Sequence, residues 1–390
     1  MSTVLDHYRA EFAAQKTNDP AKLAALEKFC AQGFPSLKIE EWRYTNVAPI
    51  AAVRFARASA ARLDLQHPAL QRFAALSPVL IVNGVLGSKH AAVHVQASTD
   101  LDTPAFVSLN KAFAPEVIDV HLQGNTAEPI FLLFVSTQEQ AMCHPRLRLK
   151  AARGSRSRVV EIHTSLAAGF TNVVVEVELE ENAKLEHTRL QCNSALHIAN
   201  VAVQQKRGST YISNAVTVGG TLVRNDINVK LQEPEASCVL NGIYAVATQD
   251  HVDCHTCVEH VAQHTHSREF YKGVVAGRAV FNGRVLVQAE AQKTDAAQSN
   301  KNLLLAKNAT VNTKPELEIY ADDVKCAHGA TVGQLDPQAI FYMRSRGIGL
   351  EEARRQLTLA FANDVIEKIS AGRQIVGDVV NDWLQREVVS

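Results

Sequence analysis

Between Arg156 and about Ala330 the chain runs for roughly 170 residues without one clear amphipathic helix. That feature removes most of fold space. A doubly wound α/β sheet needs a crossover helix between successive parallel strands, and none is available. What fills the stretch is short and extended. Val175, Val177 and Leu179 alternate with Glu176, Glu178 and Glu180. Val223, Ile227, Val229 and Leu231 oppose Arg224, Asp226, Asn228 and Lys230, and Phe281, Gly283, Val285 and Val287 repeat the pattern. A period of two lays each apolar set on one face of a strand. The punctuation is small and polar: Glu181-Asn182, Gly208-Ser209, Gly219-Gly220, Glu233-Pro234 and Asn282-Gly283. A sandwich, a barrel and a β-helix remain. Short strands, few long loops and single small corner residues favour the β-helix, whose coils stack through tight turns. Irregular corner spacing, about 12 to 27 residues, keeps the sandwich open.

Helical spacing flanks this region. Leu5, Tyr8 and Phe12 recur at three and four residues; after Asn18-Asp19-Pro20, so do Leu23, Leu26 and Cys30, up to Gly33-Phe34-Pro35. A further helix is expected over Ala58 to Ala75, broken at Pro68. Val79–Val82 and Ile130–Val135 read as strands, and Asn83-Gly84 is a strong turn signal. At the other end Asp336-Pro337 is an N-cap with proline in the first helical position. That helix covers Gln338 to Arg346 and stops at Gly347. Leu350, Ala353, Leu357, Phe361, Val365 and Ile369 mark a longer helix closed by Gly372, and a last one spans Gly377 to Arg386. The expected organisation is a helical region over 1–75, a β core over 76–335 and a helical tail over 336–390. The tail's apolar stripe suits docking on the strands or binding a partner.

Forty basic residues balance forty acidic ones. A protein that grips nucleic acid or an anionic membrane needs a net positive surface, so neither is expected as a partner. No apolar run approaches the roughly 18 residues that span a bilayer, and the opening MSTVLDHYRAEF is not a basic start followed by an apolar core. Seven cysteines are too sparse, and odd in number, for a disulfide scaffold. The expectation is a cytoplasmic chain with reduced thiols.

Two segments carry candidate chemistry. His251 to His266 holds Cys254-x-x-Cys257 and five histidines, soft ligands for zinc, copper or iron. The segment reads as a strand, however. Cys254 then faces one way and Cys257 the other, so the pair can neither chelate together nor form a disulfide. A ligand role would fall to His255 with His260, His264 or His266. In Lys325-Cys-Ala-His328, Cys326 and His328 share a face if the chain is extended. A thiol beside an imidazole is either a metal-ligand pair or a nucleophile with its base. There is no phosphate-binding Gly-x-x-x-x-Gly-Lys loop, no His-Glu-x-x-His, no Gly-x-Ser-x-Gly and no dinucleotide fingerprint.

Longer phrases are more specific. Lys293-Thr-Asp-Ala-Ala-Gln-Ser-Asn-Lys-Asn-Leu-Leu-Leu305, Thr313 to Gly333 (TKPELEIYADDVKCAHGATVG) and Phe341-Tyr-Met-Arg-Ser-Arg-Gly347 resemble signatures of the SufB/SufD family of iron–sulfur cluster assembly scaffolds. Gly219 to Asp226, Tyr271-Lys-Gly273 and Arg278 to Gly283 fit the same family. Phe34 to Thr45 and Lys325 to Asp336 resemble its SufD branch. The resemblance implies a right-handed parallel β-helix core flanked by N-terminal and C-terminal helical regions. It implies a subunit without enzymatic activity, pairing with SufB through the end of the core and holding SufC, an ABC-type ATPase, through the C-terminal helices. Cys326 and His328 match positions proposed at the SufB interface, with His328 as the ligand for iron or a nascent cluster held there in passing. No cofactor is then expected to stay bound to the isolated chain, which would be free to act as a homodimer or direct iron carrier. His251, Asp253, His255 and His260 look typical of the family, whereas Cys254 and Cys257 are expected to be structural.

Overall fold

A computed structural model describes residues 2–87, 93–96, 104–192 and 195–387. Among them the strands form one eleven-stranded and one ten-stranded sheet. The chain passes between the two at every turn: Phe170–Leu179 lies in the first, Lys184–Gln191 in the second, Leu196–Gln205 in the first again. Neighbours within a sheet are one coil apart and parallel through the whole core. Register partners are separated by 26 residues at Phe170 and Leu196 and by 32 at Arg278 and Thr310. The architecture is a β-helix. A sandwich would have paired adjacent segments antiparallel, and here that happens only near the N-terminal end. There Val79–Val82 folds onto Val85–Leu86 through Asn83-Gly84, with φ of 52° and 85°, the positive values that a two-residue hairpin turn demands.

Corner geometry explains the irregular spacing of the sequence signals. One residue per coil takes the left-handed conformation as the chain leaves the first sheet: Gly154, Asn182, Gly208, Glu235, His264 and Lys293, with φ between 58° and 67°. Glycine and asparagine adopt this conformation readily; Glu, His and Lys do so only when the surroundings hold them there. The hold is a ladder between coils, in which Asn182 N–H donates to Arg207 O and His264 N–H to Gln292 O, each at 2.9 Å. Asn282-Gly283, expected to be a corner, lies inside the strand Arg278–Val287. A Cβ on Gly283 would sit 2.0 Å from Gln298 Nε2, so the glycine makes room across the interior.

Strand alternation sorts side chains as the sequence indicates. Val175, Val177, Val223, Ile227, Val229 and Phe281 enter the central core. Each large aliphatic buried there contributes roughly 1.5–3 kcal/mol. The outer faces are covered by helices. Ser2–Ala13, Pro20–Gln32 and Ala105–Phe113 pack on the first sheet around Met142, Phe170 and Ile198. Leu350–Ile366 and Arg373–Glu387 pack on the second sheet around Val160, Ile162, Val216 and Ile243. Two polar clamps hold this tail. Glu186 accepts from Ser370 N and Oγ and from Ala371 N, and Lys272 Nζ donates to Phe361 O at 2.8 Å and Asp364 at 2.5 Å.

Local expectations differ from the structure in three further places. Residues 58–75 are irregular apart from one turn, Gln71–Ala74, because Pro68 interrupts a segment with too few apolar anchors. The last helix begins at Arg373 rather than Gly377. Ala105–Phe113 was not expected. It is nine residues long, too short for a three-to-four spacing to repeat over several turns, and it is buried from Phe106 to Phe113 with Ser108, Asn110 and Lys111 included.

Candidate functional site

The solenoid ends on Thr310–Ile319 in one sheet and Lys325–Gly333 in the other, each at the end of its sheet. One coil earlier, Ala296, Gln298, Asn300 and Asn302 are buried. Their register partners are Cys326, His328, Ala330 and Val332. These four continue the inward-facing columns onto a coil with no further strand above it among the described residues. His328 and Val332 are therefore exposed, and Cys326 is half-buried against Val287, Ala296 and Ala321. Burial pushes its thiol pKa up, with Asp295 adding to the effect. The group is a thiol at neutral pH, which weakens the nucleophile reading. Beneath the open coil lies an amide network. Tyr244 OH donates to Asn302 Oδ1 at 2.5 Å, Asn302 Nδ2 to Asn300 Oδ1 at 2.6 Å, and Thr313 Oγ1 to the same oxygen at 3.0 Å. This polar layer closes the apolar core behind the end.

The 251–266 segment is the strand His251–His260 followed by a corner. Cys254 faces the core and Cys257 the outer surface, as alternation requires. His260 is buried between Thr265 Oγ1 at 2.8 Å and Ser267 Oγ at 2.9 Å, and burial lowers its pKa to about 4. His255 is on the opposite face, His264 turns the corner and His266 starts the next strand, so the four do not converge. Among the described residues no group of three or more His, Cys, Asp or Glu is arranged to hold a metal ion.

Outward histidines serve a different purpose. His255 Nε2 lies 2.8 Å from Asp253 Oδ1, and Thr45 Oγ1 donates to Asp253 Oδ2 at 2.6 Å. Burial would raise the Asp253 pKa, but Arg224 and His255 outweigh it and hold it down to about 2. Arg224 in turn donates to Asp253 at 3.0 Å and to Glu41 O at 2.5 Å, and its guanidinium stacks 3.8 Å from the Trp42 ring. The Phe34–Thr45 phrase is thus the tie between the N-terminal segment and the first sheet. A cleft of about 650 Å³ opens beside it, lined by Trp42, Phe106, His255, Cys257 and Glu316 among others. Sequence reading assigned Arg224 only to a polar face. Its signal, an arginine two residues from Asp226 on an outward row, becomes meaningful once Asp253 is stacked beside it.

Parallel coils, helices on both outer faces and one uncovered end define the class: a β-helix protein with helical flanks. Residues 134–361 match the family model for the SUF system FeS cluster assembly SufBD core domain. The chain is 30% identical to the iron–sulfur cluster assembly protein SufD of Escherichia coli over 94% of its own length and 93% of that protein. It is 30% identical to a SufBD family protein of Synechocystis over 86% and 84% of the two chains. A third relative, the chloroplast protein ABCI7 of Arabidopsis thaliana, is 36% identical over 67% of this chain and 59% of its own. The chain belongs to the SufB/SufD family, whose role is in iron–sulfur cluster assembly, and within that family it resembles SufD.

Proposed function

We propose that this chain is the SufD-like scaffold subunit of a SufBCD-type complex, cytoplasmic and without turnover of its own. It pairs through its uncovered coil with a SufB-like chain and docks a SufC-like ABC ATPase. The observation that carries the reading is the strand Lys325–Gly333, exposed where the same columns are buried one coil earlier. A free edge of this kind invites another strand. Cys326 and His328 stand on it two residues apart. They supply two soft donors for iron or a nascent cluster, and the remaining ligands come from across the interface. The metal is cargo held in passing. When no SufB-like chain is present, the same edge is open to a second copy.

Docking of the ATPase narrows to one helix. Leu350–Ile366 and Arg373–Glu387 spend their apolar stripes on the second sheet. Pro337–Ser345 buries none of its residues, and Phe341 and Tyr342 are 74% and 57% exposed. Anaerobic co-expression with SufB-like and SufC-like proteins, capture through this chain, and measurement of partners and iron test the reading. Phe341→Ala with Tyr342→Ala should lose the ATPase and keep the SufB-like chain; His328→Ala should keep both and lower bound iron. Full ATPase recovery with the double variant removes the docking claim, and unchanged iron with His328→Ala removes the site.

A further inference from the structure

The cleft of about 650 Å³ beside Trp42 is the largest opening on the molecule that the packing of the fold leaves unused. Its floor is the outer face of the first sheet. Register stacks Asn200, Asp226, His255, Asn282 and Lys314 into one outward row across successive coils. Four steps between parallel strands, at about 4.8 Å each, make a trough roughly 19 Å long. That is the reach of about six extended residues. One wall is apolar, formed by Pro35, Ile39, Trp42 and Phe106. Ile39 on its rim is 45% exposed. The floor amides of Asn228 and Asn282 make no hydrogen bond among the described residues. They offer donors and acceptors to a peptide backbone.

Charge selects the occupant. Five carboxylates line the cleft, Glu40, Glu41, Asp226, Glu316 and Glu318, against the cations Arg224, Arg284 and Lys314. Every one of those cations is already spent. Arg224 pairs with Asp226 and Asp253, Arg284 with Glu318 at 2.7 Å, and Lys314 with Glu40 and Glu316 at 2.6 Å each. Glu41 has no ion pair among the described residues. The surplus is negative, which repels nucleic acid and acidic lipid and attracts a basic chain. A bare metal ion lacks a ligand set here, since no group of three or more His, Cys, Asp or Glu converges among the described residues. The trough also ends on Thr310–Ile319, the last strand of the first sheet, so it opens at the uncovered coil.

We propose that this cleft binds a basic, extended segment of the chain that pairs on the uncovered coil. The inference rests on that pairing and adds a second contact to it. Lysine or arginine side chains of the segment meet Glu41 and the floor carboxylates, and an aliphatic side chain between them packs on Ile39 and Trp42. The edge strand supplies the main docking contact, and the cleft supplies selectivity for a partner of the right charge.

Two native thiols report the two contacts separately. Cys257 lies half-buried on the cleft floor, and Cys326 stands on the edge strand. Full-length protein, alone and co-purified with the SufB-like chain, is treated with N-ethylmaleimide, and the rate at each cysteine is read by mass spectrometry. A tethered segment has an effective concentration of about 1 mM. With a Kd of about 0.1 mM it slows the Cys257 reaction about tenfold. Both thiols should therefore be protected in the complex. Glu41→Lys, at an exposed and unpaired side chain, should restore the Cys257 rate and leave Cys326 protected. Raising salt from about 50 to about 500 mM should do the same. Protection of Cys326 without Cys257 would overturn the cleft assignment and leave the pairing standing. Protection of neither would remove the pairing and this inference with it. Cys257 protection that survives Glu41→Lys would refute a basic occupant. Cys257 protection that grows with concentration in the isolated chain would give the cleft to a second copy and overturn the choice of partner.

Discussion

Glu269 offers a quantitative test of the interior. It is buried on the inward face of His266–Val275; Oε2 accepts from Gln298 Nε2 at 2.5 Å, while Oε1 has no partner among the described residues. Burial pushes its pKa up to about 7 from an ordinary 4.5. Below pH 4.5 the carboxyl is protonated in both folded and unfolded chains and has no linkage effect. Between pH 4.5 and 7 the unfolded chain releases the proton and the folded chain keeps it. Stability therefore falls as pH rises, by about 1.4 kcal/mol per unit, and the loss is complete above pH 7 at about 3 kcal/mol. Glu269→Gln removes the titration and keeps the shape. Urea unfolding of both proteins, followed by far-UV circular dichroism from pH 4.5 to 8, reads the difference. The variant should gain on the parent by about 3 kcal/mol across that interval. A difference that stays constant within about 0.5 kcal/mol would show that Glu269 ionises freely in the folded chain and would refute the reasoning.

Two further substitutions test the docking of the helical tail and the packing of the solenoid interior. Lys272→Met removes the donor to Phe361 O and Asp364 and should cost about 2 kcal/mol, visible as faster proteolysis between Gly347 and Gly349; unchanged cleavage would mean that the apolar stripe alone holds the tail. Gly242→Ala places a Cβ 2.0 Å from Cε1 of the buried Tyr271 ring and should lower stability by about 1–3 kcal/mol, and a neutral result in urea unfolding would show that the ring can shift.

Much of the fold was legible because its signals are local. Alternation at Val223–Leu231 and Phe281–Val287 requires only neighbouring residues, and it assigned inward and outward faces correctly. It also places Cys254 and Cys257 on opposite faces of one strand. The Asp336 cap is equally local, with Gln338 N–H donating to its Oδ1 at 2.9 Å. Corners were legible at Asn182, at Gly208 and, through Glu233-Pro234, beside Glu235, and illegible where His264 and Lys293 occupy them, since neighbouring coils, not the residue itself, impose the left-handed turn. His264 looked like a ligand by type and is a corner by position. Asn282-Gly283 looked like a corner and is a strand residue pair that leaves space for Gln298.

The candidate edge divides in the same way. That Cys326 and His328 share a face follows from a period of two. That the face lies open depends on where the stacking stops, which no local pattern records.

The sequence by itself determined that this chain is a run of short strands with helical ends, which residues share a face, and the family it resembles. Only the tertiary structure decided what meets what between coils. Register offsets vary from 26 to 32 residues, so no fixed period in the sequence predicts that Glu161 stacks on Arg189, Glu269 on Gln298, or Arg224 beside Asp253. Strand pattern is set within a few residues by the pleat of the backbone. Coil register is set by corner length and by interior packing summed over the whole solenoid, and it is that register which aligns the buried charges and leaves one coil uncovered.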